Sequence, residues 1–384
     1  MENKNNEKVP YFENRTYITI NKKYLIENIK NIKKHIKSQK ICAVIKDNAY
    51  AHNAISFAKV IDKYIDFFGV STIDEAISLK NITKSNILIL GHIENDKLIL
   101  AIKNNIRLTV SYLEQAILIN NLAKSINKKA IIHLGINTGM NRIGFELSDD
   151  SINDIIKINN LSNIIIEGIF SHYSVADIYY ENNNYKNFTI NQKELFDDFI
   201  KKLEDKNLKF EIKHIANSAG TLLSLFKNTD MIRPGIILYG LYPSTTIKKT
   251  IKIKPVLSLY SKIVYLKTIS KNQTISYGNT FKSKKQMTIA TVSIGYGDGY
   301  PRSINKNQKV IINGKYCKIV GRVTMDQLMV DVTNVKCDIG DIVIMIGEYE
   351  NKKISFYDLS KNTGILHYEL LCNLNHRVPI YYIN

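Results

Sequence analysis

The sequence predicts an α/β protein with an N-terminal (β/α)8 barrel and a C-terminal, mainly β domain. Between residues 41 and 240, short apolar runs typical of buried strands alternate with amphipathic helical patterns in about eight units. Beyond Pro255 the pattern changes to alternating strands separated by turn signals. No GxGxxG motif follows the first buried run, so a barrel is favoured over a doubly wound open sheet.

The predicted domains are a polar tail at 1–14, a barrel domain at 15–254 and a β domain at 255–384. The barrel domain opens with a strand at 17–20 and a helix that Asn21 can cap. Its strand candidates then lie at 41–45, 67–71, 87–90, 108–111, 130–136, 164–171, 210–215 and 231–239. Helical patterns separate most of them, for example at 51–64, 112–126 and 192–206.

The β domain has strand candidates at 257–268, 287–294, 309–320, 327–332 and 341–346. Asn313-Gly314 predicts a tight hairpin turn inside the third of these. Helical pattern returns only at 355–363 and near Tyr368.

Composition limits the class of protein. The 384 residues are 45% hydrophobic and 23% charged, as in ordinary globular proteins. The net charge of +18 comes from scattered lysines, which indicates a solvated surface and no nucleic-acid partner. The four cysteines form no CxxC pair and no metal-ligand spacing, and no apolar signal or membrane-spanning stretch is present. We therefore expect a cytoplasmic protein with no membrane partner.

The segment 43–50 is the most informative one. A short apolar run ends on Lys46 and is followed by a polar turn and Tyr50. A lysine at the end of a barrel strand suits a Schiff-base nucleophile, because an ammonium is costly to bury there. The alternative is a snorkelling lysine at a strand end.

Further polar residues follow the other barrel strands. Arg142 follows the fifth strand, His172 the sixth, and Asn217 and Ser218 the seventh, while Arg233 lies in the eighth. The active sites of barrel enzymes form at that end of the strands, often with a phosphate cradle after the last two. A strand lysine, a phosphate cradle and convergent Arg and His groups indicate a site for pyridoxal 5'-phosphate.

Several motifs along the chain resemble those of the alanine racemase family, in order and over almost the whole length. They are the segments 43–50, 137–144, 214–219, 231–241, 293–300, 320–327, 367–369 and 377–379.

The resemblance implies an alanine racemase that interconverts L- and D-alanine by two bases on opposite faces of Cα. Lys46 would hold the cofactor, release it to the substrate as an external aldimine, and act as one base. Tyr296, contributed by the partner subunit of a homodimer, would be the other base. His172 would bond that tyrosine, and Arg233 would bond the histidine and face the pyridine nitrogen. Because an arginine keeps its proton, the ring nitrogen would stay unprotonated, which limits side reactions such as transamination.

The resemblance also implies the binding groups. Arg142 and the backbone of Met325 would hold the substrate carboxylate. Asp177 and Arg322 resemble residues of the substrate entrance, with structural roles equally open. The cofactor set is Lys46, Tyr50, Asn217, Ser218, Arg233, Gly235, Ile236 and Tyr368.

One position departs from the family pattern. Many members carry a carbamylated lysine that orients the substrate arginine, but this chain has Gly135, and Asn137 replaces a common aspartate. A chloride ion or ordered water beside Arg142 is our hypothesis for what replaces it.

Two alternatives remain open from the sequence. One is a racemase of broader range, acting on serine or lysine, and the other is a non-catalytic pyridoxal-phosphate carrier of barrel type. Tyr296 in its motif disfavours the carrier, which would lack the β domain. In a bacterium the product D-alanine would supply peptidoglycan.

Overall fold

The computed structural model describes residues 9–304, 307–374 and 376–384. The predicted tail at 1–14 therefore falls in part, at 1–8, outside the described residues. Two compact units are present. The barrel unit comprises 23–49 and 53–254, and the β unit comprises the described residues up to Lys22, 50–52 and the described residues from Pro255 onward.

The first half of the chain alternates strands and helices. The strands are β1 (Thr16–Asn21), β2 (Lys40–Val44), β3 (Phe67–Val70), β4 (Asn86–Ile89), β5 (Leu108–Val110), β6 (Ala130–Gly135), β7 (Ile164–Phe170), β8 (Ile212–His214) and β9 (Met231–Ile232). The helices are α1 (Lys22–Ile36), α2 (Lys46–Ala51), α3 (Ala54–Ile61), α4 (Ile73–Lys80), α5 (Leu98–Lys103), α6 (Leu113–Ser125), α7 (Asp149–Asn159), α8 (Asn183–Glu204) and α9 (Ser218–Leu222).

Strands β2 to β9 form the parallel barrel. They lie in two four-stranded sheets, of order β4-β3-β2-β9 and β5-β6-β7-β8. Backbone bonds close the ring on both sides: Arg107 N–H donates to Ile87 O (2.9 Å), and Asp230 N–H donates to Lys213 O (2.8 Å). The predicted barrel is confirmed.

The helices cover the barrel through apolar stripes. In α1 the residues Leu25, Ile29, Ile32 and Ile36 are all buried. Each such side chain contributes about 1.5–3 kcal/mol when it is removed from water. The polar residues between them keep the outer face soluble, so the periodicity of this helix specifies which side packs on the strands.

The β unit contains the remaining elements. Its strands are β10 (Leu257–Ile269), β11 (Thr274–Ile275), β12 (Phe281–Lys282), β13 (Met287–Val292), β14 (Lys309–Ile312), β15 (Lys315–Val320), β16 (Leu328–Asp331), β17 (Ile342–Tyr349), β18 (Lys352–Ile354) and β19 (Ile380–Ile383). Two helices follow β18: α10 (Phe356–Thr363) and α11 (His367–Cys372).

The main sheet of the β unit is nine-stranded, in the order β18-β17-β14-β15-β16-β13-β10-β1-β19. Strand β10 also pairs with β17, so six of the strands form a closed ring. The predicted hairpin at Asn313-Gly314 joins β14 to β15, and both residues have the positive φ values (45° and 71°) of a two-residue turn.

The structure differs from the sequence-based assignment at several strands. The sequence predicts no strand at β11, β12, β18 or β19, each of which has four residues or fewer. The first strand, placed by sequence in the barrel domain, pairs with β10 and β19 of the β unit. Alternating apolar residues specify a strand but not its partner. The sequence predicts the eighth barrel strand at 231–239. In the structure this strand ends at Ile232, because Pro234 has no N–H with which to continue the ladder of hydrogen bonds.

Among the residues described, the longest apolar helices fall short of what crossing a membrane requires.

Candidate active site

Lys46 lies at the carboxyl end of β2 and is half-buried. The preceding backbone is fixed on both sides: Val44 N–H donates to Pro234 O (2.9 Å) and Ile45 N–H to Gly69 O (3.0 Å). The lysine therefore leaves the barrel from a rigid strand end, as expected from the sequence.

The turn after Lys46 has an uncommon backbone. All five residues from Asp47 to Ala51 have φ between 50° and 60°, although none of them is glycine. Each left-handed residue costs roughly 1–2 kcal/mol. Glu75 helps to hold the turn, since its carboxylate accepts from Asp47 N–H (2.6 Å) and Ser71 N–H (2.8 Å). Strain that is stabilised in this way is typical of functional sites.

Arg233 follows β9 and is only 3% exposed. Its Nη1 donates to His214 Nδ1 (2.6 Å), and its Nη2 donates to Ser171 O (2.7 Å) and His172 Nδ1 (3.1 Å). The guanidinium is thereby fixed between the ends of the sixth and seventh barrel strands.

His172 follows β7 and stays neutral. Burial lowers its pKa well below the ordinary value, and the positive charges of Arg233, Arg142 and Lys46 lower it further. Burial also lowers the pKa of Arg233, to about 10, which still leaves the guanidinium protonated at neutral pH. The barrel thus brings four predicted site residues together: three cations and a neutral imidazole.

Arg142 lies in an exposed loop after β6 that Asn137 organises. The Asn137 Oδ1 accepts from Gly139 N–H (3.1 Å) and Asn141 N–H (3.0 Å), while its Nδ2 donates to Glu146 Oε1 (2.9 Å). The sequence identified Asn137 only as a missing aspartate. Its position two residues before a glycine is the sequence signal of an Asx turn.

Gly135 lies beside this loop, where a Cβ could be accommodated. A Cβ there would lie 3.4 Å from Ser111 Oγ and 3.5 Å from Phe170 Cζ, which is ordinary contact. A cavity of about 410 Å³ lies nearby, lined by Ser111 and Gly144 together with His92, Thr109, Tyr112, Gln115 and Ile143.

The predicted phosphate loops are joined to each other. Gly235 N–H donates to Ser218 Oγ (2.9 Å), which links the loop after β9 to that after β8. Asn217 caps α9 by accepting from Gly220 N–H (2.9 Å), and its Nδ2 lies 3.4 Å from His172 Nε2. Ser218, Gly235 and Ile236 are all buried.

In the β unit, Tyr296 and Met325 are neighbours. Tyr296 N–H donates to Thr324 O (3.1 Å) and Gly297 N–H to Met325 O (2.8 Å). Gly295 permits this approach, since a Cβ there would lie 2.2 Å from Thr324 O. Both side chains face solvent in the single chain, 41% exposed for Tyr296 and 52% for Met325.

A buried carboxylate that the sequence did not reveal supports the Tyr296 turn. Asp298 is fully buried, accepts from Gly295 N–H (3.1 Å), and pairs with Arg15 Nη2 (2.5 Å). Arg15 precedes β1, so this contact depends on the pairing of β1 with the β unit. Sequence patterns do not predict such a long-range pair.

The remaining predicted residues are divided between the two units. Tyr50 and Tyr368 both belong to the β unit, with ring centroids 6.4 Å apart. Asp177 lies on a short turn of the barrel unit, and burial raises its pKa. The backbone carbonyl of Arg322 accepts from Ser276 Oγ (2.6 Å) within the β unit.

A parallel eight-stranded barrel with a lysine and further cations at the carboxyl ends of its strands is the architecture of the barrel enzymes, whose active sites lie at that end. Comparison with known proteins identifies the family. Models of the alanine racemase N-terminal and C-terminal domains match residues 20–243 and 256–382.

Curated relatives agree with this family. The chain is 39% identical to the alanine racemase of Clostridium kluyveri, over 95% of this chain and 93% of that protein. It is 37% identical to alanine racemase 2 of Caldanaerobacter subterraneus subsp. tengcongensis, over 96% and 95%.

Solved structures agree as well. The alanine racemase of Clostridium difficile 630 superposes with a TM-score of 0.91 at 37% identity, covering 97% of both chains. That of Bacillus anthracis, with bound L-Ala-P, gives 0.89 at 30% identity, covering 98% of this chain and 96% of that one.

The chain belongs to the alanine racemase family. It is an amino-acid racemase that interconverts L- and D-alanine, and its family depends on pyridoxal phosphate.

Proposed function

We propose that this racemase binds pyridoxal 5'-phosphate at the mouth of the barrel, with Lys46 as its covalent anchor. The observation that carries the proposal is the convergence of Lys46, Arg142 and Arg233 on a neutral His172. This set fits the cofactor, because the cations attract a phosphorylated anion and a carboxylate substrate. When bound, pyridoxal phosphate supplies the electron sink that makes the Cα proton of alanine acidic.

Lys46 and Tyr296 are the two bases in this proposal. The Lys46 Nζ takes or returns the Cα proton on one face, and the Tyr296 Oη of the partner subunit does so on the other. The exposure of Tyr296 and Met325 in the single chain supports a homodimer in which each active site is shared. Two further tyrosines of the β unit, Tyr265 (55%) and Tyr277 (69%), are also exposed.

His172 prepares the tyrosine for this role. Its Nδ1 accepts from Arg233, so the proton of the neutral ring lies on Nε2. In this proposal that N–H donates to the phenolate oxygen of Tyr296 of the partner subunit, in place of its long contact (3.4 Å) with Asn217 Nδ2. Because a phenol has a pKa near 10, stabilisation of the phenolate is needed for a base that acts near neutral pH.

Arg233 would hold the pyridine nitrogen as a donor. It is buried and remains protonated at neutral pH, so it would donate a hydrogen bond without transferring a proton. By keeping its proton, Arg233 would favour racemisation over transamination.

The phosphate and carboxylate groups have separate binding sets. Hydroxyls and amides from the two linked loops of the barrel unit hold the phosphate: Asn217, Ser218, Gly235 and Ile236. Tyr50 and Tyr368 belong to the cofactor set that the family resemblance implies. Arg142 and the Met325 backbone hold the carboxylate of alanine.

We further propose that a chloride ion or ordered water supports Arg142, because Gly135 has no side chain that could do so. If the ion is chloride, we expect the KM for alanine to fall when chloride replaces gluconate at constant ionic strength. The value of kcat should change little. A KM that is unaffected by chloride, with no ion beside Arg142 in a crystal structure, would refute the ion.

We place the enzyme in the cytoplasm, where D-alanine would supply peptidoglycan. The scattered lysines of a solvated surface are consistent with that location.

The experiment that tests the roles follows the optical activity of L-alanine with purified protein and pyridoxal phosphate, with L-serine and L-lysine in parallel. We expect the alanine signal to decay to zero, and to persist with Lys46→Ala. In D2O, Tyr296→Phe should exchange the α-hydrogen of one enantiomer without inverting it. Exchange of both enantiomers by this variant would contradict the role of Tyr296, and turnover of serine or lysine would widen the substrate range.

A further inference from the structure

A line of buried polar side chains extends from Arg233 through the inside of the barrel. Arg233 Nη1 lies 2.6 Å from His214 Nδ1, and His214 Nε2 lies 2.8 Å from His133 Nδ1. His133 Nε2 lies 2.9 Å from Glu167 Oε2, and Glu167 also pairs with Arg107 (2.9 Å). The line connects three neighbouring strands, β8, β6 and β7, and none of its members beyond Arg233 has a role in the proposed chemistry.

The two ends of this line determine where its protons lie. A guanidinium can only donate, and an ionised carboxylate can only accept. His214 must therefore accept at Nδ1 and donate from Nε2, and His133 must do the same toward Glu167. Burial lowers the pKa of both histidines, so both rings are neutral and each carries its single proton on Nε2.

The carboxylate end is firmly ionised. Burial alone would raise the pKa of Glu167. Hydrogen bonds from His133 and Arg107 outweigh this effect and lower the pKa to about 2. The acceptor of the line is consequently constant over the whole working pH range.

The rings are held by their neighbours as well as by hydrogen bonds. His214 stacks on Phe170 with centroids 5.0 Å apart and an interplanar angle of 15°. His133 fits against Gly168, where a Cβ would lie 2.4 Å from Nδ1. A side chain at position 168 would thus displace the ring.

The buried charge of Arg233 depends on well-oriented hydrogen bonds. In the part of the chain that the structure describes, its donors bond only backbone carbonyls and histidine nitrogens, and no carboxylate lies within ion-pair distance. A buried charge without a paired carboxylate is costly unless its hydrogen bonds are well oriented. Glu167 is the ionised acceptor at the far end of the line, two rings away from Arg233.

We propose that Glu167 is a positioning residue for Arg233, which acts through His133 and His214 to keep the guanidinium directed at the cofactor's ring nitrogen. The inference rests on the proposed function of Arg233. It predicts that a change at Glu167 alters the proton arrangement of His214 and the selectivity of the reaction, and not stability alone.

Three variants distinguish the effects of the Glu167 charge, of the acceptor for His133 and of the position of the His133 ring. Glu167→Gln keeps an acceptor for His133 but removes the charge, Glu167→Leu removes the acceptor, and Gly168→Ala displaces the ring without changing a polar group. Glu211→Gln, which breaks the exposed pair with Lys40 (3.2 Å), is the matched control.

The first measurement uses the apoprotein and is independent of the cofactor. Two-bond ¹H–¹⁵N spectra of labelled imidazoles report the tautomer of each ring. We expect Nε2–H forms of His133 and His214 in the wild type, Glu167→Gln and Glu211→Gln. Glu167→Leu and Gly168→Ala should add the Nδ1–H form of His214, which can no longer accept from Arg233.

The second measurement uses the loaded enzyme. Half-transamination converts one alanine and one pyridoxal phosphate into pyruvate and pyridoxamine phosphate, so pyruvate formed per racemised alanine reports on Arg233. We expect this ratio to rise about tenfold in Glu167→Leu, the effect of losing one charge-assisted hydrogen bond. It should change little in Glu167→Gln and Glu211→Gln.

An unchanged His214 tautomer in Glu167→Leu or Gly168→Ala, whether or not the thermal stability of these variants changes, would overturn the proposal. If neither variant folds, the spectrum of the wild type decides. A proton on Nδ1 of His133 or His214 would then overturn the proposal. Failure of the proposed role of Arg233 would look different, since the tautomers would change as expected and the pyruvate ratio would not.

Discussion

At the scale of single residues, buried histidines govern how stability depends on pH. Burial lowers the pKa of His133, His172 and His214, whereas an unfolded chain titrates near 6.5. Below pH 6.5 the unfolded state therefore binds more protons than the native state. Stability is fully present above that pH and falls as the pH decreases.

We expect each neutral buried histidine to remove about 1.4 kcal/mol of stability per pH unit below pH 6.5. Urea unfolding measured between pH 7.5 and 5.0 tests this, since Glu167 stays ionised throughout that range. The slope should correspond to more than one proton taken up on unfolding. A flat stability profile between pH 6.5 and 5.0 would show that these rings are protonated in the native state.

The ion pair beneath Tyr296 gives a second prediction for single residues. Arg15→Met leaves the buried Asp298 without its principal cation, which should cost roughly 3 kcal/mol of unfolding free energy. Because Asp298 also holds Gly295 N–H, kcat should fall with the stability. Chemical denaturation and steady-state kinetics measure the two effects, and the exposed Arg302→Met should change neither by much. Equal effects of both variants would show that the pair does not support the turn.

At the scale of elements, the left-handed turn after Lys46 stores strain that the site uses. Ala51→Gly should raise the unfolding free energy by up to about 1 kcal/mol, since glycine adopts this backbone without a Cβ clash. It should also lower kcat, because a relaxed turn no longer fixes Lys46. The control Ala123→Gly, in the regular helix α6, should lose about 1 kcal/mol or more. Loss of stability at both positions would mean that the turn is not strained.

The elements also show how far sequence reasoning extends. Periodicity found the barrel strands, β10, β13 to β17 and the hairpin at Asn313-Gly314, because these patterns record local burial and turn chemistry. It missed the partner of β1 and the left-handed turn, since the first depends on distant strands and the second contains no glycine. It also began α8 at 192 instead of Asn183, because the first turns of that helix are polar.

The candidate site shows the same division. Lys46, Arg142, His172 and Arg233 could be found because each follows a strand at the same end of the barrel. Glu167 and His133 could not, because one polar residue inside a strand does not indicate which strand it faces.

At the scale of the whole molecule, a shared active site requires two chains for one reaction. Lys46→Ala and Tyr296→Phe should each abolish racemisation as homodimers. In a heterodimer of the two, one site lacks both groups and the other has both. Random mixing of equal amounts makes half the dimers mixed, with one intact site of two, so about a quarter of wild-type activity should return.

The mixing experiment distinguishes the arrangements directly. The two inactive variants are co-refolded from urea with pyridoxal phosphate, and the racemisation rate is measured against each variant refolded alone. If Lys46 and Tyr296 acted within one chain, every site in every dimer would lack one base, and no activity would return. Dilution should then lower the restored activity, because a site built from two subunits disappears when the dimer dissociates.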